Sequence, residues 1–200
     1  MEIIMNESQI EGISERFLIP LLQQLLEQFP FLLLGFHSDN GPEYINHRVA
    51  RLLNKLLIEF TKSRSRHCND NALVESKNGA IVRKQFGYTH IQQKYAPQIN
   101  HFCLKYLNPY INFHRPCFFS ENFTDKKGKE RKRYPYDKMM TPYDKLKLLS
   151  AAESYLKEGM TFKELDNLAK LISDNEAAKK LNLARNRFFQ VIFEQGNRVA

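Results

Sequence analysis

The stretch FLLLGFH, residues 31–37, restricts the possible folds of this 200-residue chain more than any other. It is apolar at odd and even positions alike, whereas a strand with one face in water would alternate. The run therefore predicts a strand inside a parallel sheet. A parallel neighbour requires a crossover connection, and the sequence supplies one. YINHRVARLLNKLLIEF (44–60) carries Val49, Leu52, Leu53, Leu56 and Leu57 at helical intervals, and IEFTKS (58–63) follows as a second short strand. Strand, helix and strand with short joints predict a βαβ unit, and with it an α/β fold.

The flanking segments read mainly as helix. In ISERFLIPLLQQLLEQFP (13–30), Leu18, Leu21, Leu22, Leu25 and Leu26 form a stripe that Pro30 terminates. Asn69, Asp70 and Asn71 offer caps for a helix from about Ala72 to Phe86, and residues 92–113 suggest another, limited by Pro97 and Pro109. The texture changes at His114. FTDKKGKERKRYPYDK (123–138) is polar, strongly basic and broken by Gly and Pro, which reads as a linker or an arm. From Pro142 the pattern is helical again, with Thr141-Pro142 and Thr161 as helix starts. Residues 174–192 carry a faint helix-turn-helix character, but no Gly marks the turn, so packing or multimer contacts are expected of them.

A formal net charge of +8 and a pI of about 9.3 favour a polyanionic partner. Nucleic acid comes first, because clustered Lys and Arg gain affinity by releasing phosphate counterions. Lys126, Lys127, Lys129, Arg131, Lys132 and Arg133 form a basic run beside Tyr134 and Tyr136, either a solvated linker or a phosphate-binding element. MEIIMNES has no basic n-region, so no secretory signal is expected. The apolar stretch 17–36 is interrupted by Gln23, Gln24, Glu27 and Gln28, which excludes a membrane span. Cys68, Cys103 and Cys117 are odd in number and lack C-x-x-C spacing, which indicates a reducing compartment. Their placement beside His67 and His101 matches no standard zinc site.

Two carboxylates stand out. Asp39-Asn40-Gly41 closes the first apolar run, and by itself the tripeptide reads as a turn. The other reading is a carboxylate at the carboxyl end of a parallel strand, where ligands and catalytic groups collect. Glu75 follows with 35 residues between, in the first turn of a predicted helix, where the dipole alone favours it. The βαβ passage between them would let both converge on one cleft. On that helix Val74, Ile81 and Val82 mark the buried side, while Lys77 and Lys84 share a different face, available to phosphates.

HSDNGPEYIN (37–46), FTKSRSRHCNDNALVESKNG (60–79) and VRKQFGY (82–88) together resemble the integrase catalytic core of DDE transposases and retroviral-type integrases, in particular that of bacterial insertion-sequence transposases. NFHRP (112–116) and YDKMMTPYDKL (136–146) extend the similarity over about residues 20–150. The chain departs from the family pattern at Ser65 and Arg66 for Pro-Tyr, Cys68 for Lys, and Ser76 for Gln. The resemblance implies a ribonuclease H-like fold in which Asp39 and Glu75 are the second and third members of a catalytic triad that holds two Mg²⁺ (or Mn²⁺) ions. It implies phosphodiester hydrolysis at an element's end and attack of the freed 3′-hydroxyl on another strand, hence DNA integration and transposition. Arg64, Arg66, Lys77 and Lys84 are implied contacts to the DNA end, with the basic run 126–133 as a further contact.

No aspartate precedes Asp39, so the first triad member is missing from the chain. The resemblance thus implies an incomplete core, lacking its first strands, over 13–113, a basic linker or arm over 114–141, and a helical C-terminal region over 142–200. Three activities fit: a DNA-binding remnant inactive alone; one half of a split enzyme whose missing Asp, and so its metal site, is completed in trans; or a dominant-negative regulator of transposition. The implied partners are DNA (element ends and target) and a full-length or N-terminal transposase chain in a homo- or hetero-multimer. The implied place is the bacterial cytoplasm, at the nucleoid and not at a membrane. FLLLGFH would lose its neighbour on one side, and poor solubility of the isolated chain is expected.

Overall fold

The computed structural model describes residues 19–20, 22–23, 26–27, 29–38, 47–62, 78–88 and 91–197. It is a mixed α/β structure, and the predicted βαβ unit is present. Strands β1 (Gly35–Ser38) and β2 (Glu59–Lys62) pair in parallel, from Gly35 opposite Glu59 to Ser38 opposite Lys62. Helix α1 (His47–Lys55) lies between them in sequence. Its Val49 and Leu53 are buried together with Leu22 and Ile58, so the helical spacing of those residues marks the face that meets Leu22 and the entry to β2.

Helix α1 stops before its apolar periodicity does. Leu57 adopts φ +56°, the Leu57 N–H donates to the Asn54 carbonyl at 3.1 Å, and the Ile58 N–H donates to the Leu53 carbonyl at 2.9 Å. This pair of bonds satisfies carbonyls at the helix end through one left-handed residue, a position usually held by Gly. Leu56 and Leu57 consequently face water instead of continuing the stripe.

The apolar run 31–37 also departs from expectation. Strand pairing begins only at Gly35, and Leu32 and Leu34 are 49% and 58% exposed, not sheet interior. Its first half is drawn elsewhere. Phe29 and Phe31 are buried with Tyr143, Leu146 and Leu165. The Leu32 N–H donates to the Tyr155 carbonyl at 2.7 Å, and the Lys157 N–H to the Pro30 carbonyl at 3.0 Å. Among the described residues, β1 has one strand neighbour, β2.

Asn78–Val82 forms a widened π-helical turn that runs into α2 (Arg83–Phe86). A 3₁₀ turn at Gln93–Tyr95 leads into α3 (Ala96–Phe102), which continues through widened turns at Cys103–Leu107 and Tyr110–His114. Pro97 sits in the first turn of α3, where a missing N–H costs nothing, and Pro109 falls between the two widened segments. Ile81, Ile99, Phe102, Cys103, Leu107 and Ile111 make the largest core with two residues of the last helix, Leu181 and Phe188.

The C-terminal helices start where the sequence marks them. Thr141 caps α4 (Pro142–Lys147), its hydroxyl accepting the Asp144 N–H at 3.1 Å. Thr161 and Glu164 form a reciprocal capping box at α5 (Phe162–Lys170). Ser173 and Glu176 repeat that arrangement at α6 (Asp174–Asn197). Because α6 is one continuous helix, residues 174–192 contain no helix-turn-helix; Ala177, Leu181 and Phe188 are buried in packing. No helix among the described residues is long and apolar enough to cross a membrane.

Candidate nucleic-acid interface

The basic stretch read as linker or arm folds as an antiparallel ribbon. Strand β3 (Glu121–Thr124) pairs with β4 (Glu130–Arg133), with Glu121 opposite Arg133, Asn122 opposite Lys132, Phe123 opposite Arg131 and Thr124 opposite Glu130. The chain reverses at Asp125-Lys126-Lys127-Gly128-Lys129. The Gly128 N–H donates to the Asp125 carbonyl, and the Asp125 N–H to the Lys129 carbonyl, each at 2.9 Å. Gly128 has φ +75°, so this is a three-residue hairpin loop with glycine at its left-handed position.

The Asp125 carboxylate organises the tip. Its Oδ1 accepts the N–H groups of Lys127 (2.9 Å) and Lys129 (3.0 Å), and its Oδ2 accepts Arg131 Nε at 2.7 Å. The Lys129 N–H first, then Arg131 and the Lys127 N–H, hold this carboxyl below the usual aspartate range. At the base, Cys117 and Met140 form an antiparallel bridge. Glu121 accepts hydrogen bonds from Lys138 and, at 3.4 Å, from Arg133. Its pKa is lowered, first by the bond from Lys138 and then by the charges of Lys138 and Arg133. The Arg133 guanidinium also lies 5.8 Å from the Phe123 ring centre.

This register divides the cations into two sets. Arg131, Arg133 and Lys138 are engaged by Asp125 and Glu121. Lys126, Lys127, Lys129 and Lys132 are exposed and have no carboxylate partner among the described residues. The first three surround the loop tip. Lys132 projects from the opposite ribbon face to Arg131 and Arg133, because side chains alternate along a strand. A two-stranded ribbon is one of the two elements that the DNA major groove admits, and four free ammonium groups on it are suited to phosphates. The one local sign of the hairpin in the sequence is the turn spacing Asp-x-x-Gly between ENFT and ERKR, segments that carry no strand alternation of their own.

Among the other residues identified from sequence, Lys84 is exposed on α2, beside a cavity of about 180 Å³ that Arg115 also lines. Asp39, Glu75, Arg64, Arg66 and Lys77 lie outside the described residues. The residue before Asp39, Ser38, ends β1 directly opposite Lys62 at the end of β2, so the carboxyl ends of the parallel pair lie side by side. His101 is exposed whereas Cys103 is buried in the core, which separates that pair as ligands. No cluster of His, Cys, Asp and Glu suited to a metal occurs among the described residues.

The NFHRP segment has a role that its sequence does not announce. His114 is buried, with Nδ1 3.0 Å from Asp174 Oδ1, and so ties the end of the Tyr110–His114 turn to the start of α6. Asn112 Nδ2 donates to the Asn108 carbonyl at 2.9 Å. Both side chains serve the interior.

No known family profile matches the chain. It is similar to a protein of Sinorhizobium fredii (strain NBRC 101917 / NGR234) named uncharacterized protein y4rM, being 44% identical over 70 residues. Those residues are 35% of this chain and 20% of that protein, so the similarity spans about a fifth of the relative's length.

Proposed function

We propose that the chain is part of a DDE-type transposase or integrase, a ribonuclease H-like core segment that offers Asp39 and Glu75 as metal-binding carboxylates and a basic hairpin to DNA. The observation that carries this reading is the parallel pair β1–β2 with its helix-bearing connection. Asp39 comes immediately after the carboxyl end of β1, the edge at which sheets of this class hold their catalytic groups. The hairpin adds four exposed lysines without acidic partners among the described residues, which suits phosphate contacts.

The donor chemistry suits a hard divalent cation, because Asp39 and Glu75 offer only oxygen and their motifs resemble carboxylate-only sites. Bound Mg²⁺ or Mn²⁺ would supply charge stabilisation for an in-line displacement at phosphorus. The chain's own residues hold the ions through these two carboxylates and hold the DNA backbone through the lysines. The residues before Asp39 contain no aspartate, and we propose that another segment supplies the third carboxylate.

The test uses labelled duplex DNA, Mg²⁺ or Mn²⁺, and this chain with and without a polypeptide carrying the strand that ends in the missing Asp. Salt-sensitive binding is expected from the chain alone, with end joining only after the second polypeptide is added. Glu75→Gln should abolish joining and leave binding intact. Absence of DNA binding at low salt would refute the DNA partner, and joining unaffected by Glu75→Gln would remove that residue from the site. The alternative reading is a non-enzymatic regulator that binds DNA through the hairpin lysines. Dominant-negative inhibition of transposition in cells, retained by Asp39→Asn, would select that alternative.

A further inference from the structure

A groove of about 740 Å³ runs between the α3 segment and α6. Its lining includes His101 and Lys105 from the α3 side and Lys180 and Arg187 from α6, and contains no Asp or Glu among the described residues. The apolar part includes Leu183 and Val191, 58% and 43% exposed, with Ala184 and Ile192 beside them. Along α6, Lys180, Leu183, Arg187 and Val191 fall at intervals of three, four and four residues, so one stripe alternates cation and aliphatic. That stripe extends for about 16 Å at the α-helical rise.

We infer that this groove docks an acidic amphipathic helix of a partner protein. Such a helix would lay apolar side chains at i, i+3, i+4 and i+7 against Leu183 and Val191 and set its carboxylates toward Lys105, Lys180 and Arg187. A trough flanked by two helical segments has the shape for a third helix. The uniform positive sign of its lining selects an acidic occupant.

The same features disfavour the other occupants. A second copy docked face to face would bring two surfaces lined by Lys105, Lys180 and Arg187 together. Single-stranded nucleic acid needs exposed ring faces on which bases stack, but Tyr95, Phe102 and Phe188 are 3%, 3% and 8% exposed. The remaining tyrosine ring, that of half-buried Tyr106, carries the Lys105 ammonium 5.7 Å from its centre. A duplex backbone gains nothing from Leu183 and Val191. This inference stands independently of the transposase reading.

The experiment is fluorescence anisotropy of a labelled synthetic helical peptide, with Leu at the four anchor positions and Glu on the flanks, titrated with the full chain. A matched peptide with Gln in place of Glu should bind at least about tenfold more weakly. Lys180→Glu combined with Arg187→Glu should weaken the Glu peptide by a similar factor and restore tight binding to a Lys-flanked version. Circular dichroism verifies that this exposed double variant keeps its helix content. Equal affinity for the Glu and Gln peptides would overturn the inference, as would a charge-reversed chain that binds the Glu peptide unchanged. Displacement of the peptide by duplex DNA, in a variant without the four hairpin lysines, would assign the groove to nucleic acid. A dimer broken by Leu183→Glu would assign it to a second copy.

Discussion

Arg131 and Lys132 are adjacent cations on opposite faces of one ribbon, and they should respond differently to the same substitution. Arg131 Nε is held by Asp125 at 2.7 Å, whereas Lys132 has no acidic partner among the described residues. A phosphate contact by Arg131 would first have to break its internal pair, and Lys132 has no such pair to break. Each phosphate neutralised on a duplex contributes about −0.9 to the slope of log affinity against log salt. Four free lysines, Lys126, Lys127, Lys129 and Lys132, therefore contribute a slope of about −3.6, which weakens binding about 150-fold between roughly 50 and 200 mM salt. Replacing all four with Ala should remove most of that dependence. Lys132→Gln alone should reduce the slope by about 0.9, and Arg131→Gln by clearly less. Anisotropy of a labelled duplex, titrated at several KCl concentrations, measures each slope. A quadruple variant with the wild-type slope would refute the hairpin as the phosphate-binding element. An Arg131→Gln slope matching that of Lys132→Gln would refute the division between paired and free cations.

Phe188→Ala removes a ring packed 5.9 Å from Phe86, 6.2 Å from Phe102 and 5.3 Å from Phe189, and should lower stability by about 3–5 kcal/mol in urea denaturation. Leu57→Gly relieves a left-handed residue whose side chain is exposed, and should raise stability by about 0.5–1 kcal/mol, seen as a higher denaturation midpoint. Thr161→Ala breaks the α5 capping box at a cost of about 1 kcal/mol, whereas Thr161→Ser should stay near wild type in the same assay. Asp166 accepts hydrogen bonds from Lys147 (2.6 Å) and Tyr143 (2.7 Å), and these, Lys147 first, hold its carboxyl below the ordinary 3.8. A folded-state value below the unfolded one stabilises above 3.8 and is lost as pH falls through the lower folded value, so Lys147→Gln should flatten the acid limb of urea midpoints plotted against pH.

How far the sequence reached depended on whether the deciding interactions are local. The 3.6-residue spacing of Val49 and Leu53 and the apolar runs before and after α1 encode the βαβ unit within about thirty residues, and the unit formed. Thr141 and Thr161 were legible as caps because a hydroxyl needs only the N–H three residues on. Lys84 is exposed as its charge predicts, although it lies only three positions from buried Ile81 and lines the same small cavity. The hairpin was not read. ENFT and ERKR lack the hydrophobic alternation that marks a strand, and the Gly, Pro and Lys content of the region matches that of loops.

The interior reading of FLLLGFH failed at its first half for a non-local reason. Apolar side chains register hydrophobicity but not the identity of what buries them. Phe31 is buried against Tyr143, Leu146 and Leu165, more than a hundred residues later, while Leu32 and Leu34 face water. His114 likewise sits in a recognisable motif, yet its partner Asp174 is 60 positions away.

By itself the sequence determined the type of its main helices, the caps at Thr141 and Thr161, the crossover between the two parallel strands and the positions of its basic residues, because these follow from periodicity and short hydrogen bonds. Tertiary structure alone decided which lysines remain free. Ionic and hydrogen-bonding partners are chosen at distances of about 3 Å. That choice was made when the β3–β4 register and the Asp125 turn brought Arg131, Arg133 and Lys138 to their carboxylates and left Lys126, Lys127, Lys129 and Lys132 facing solvent.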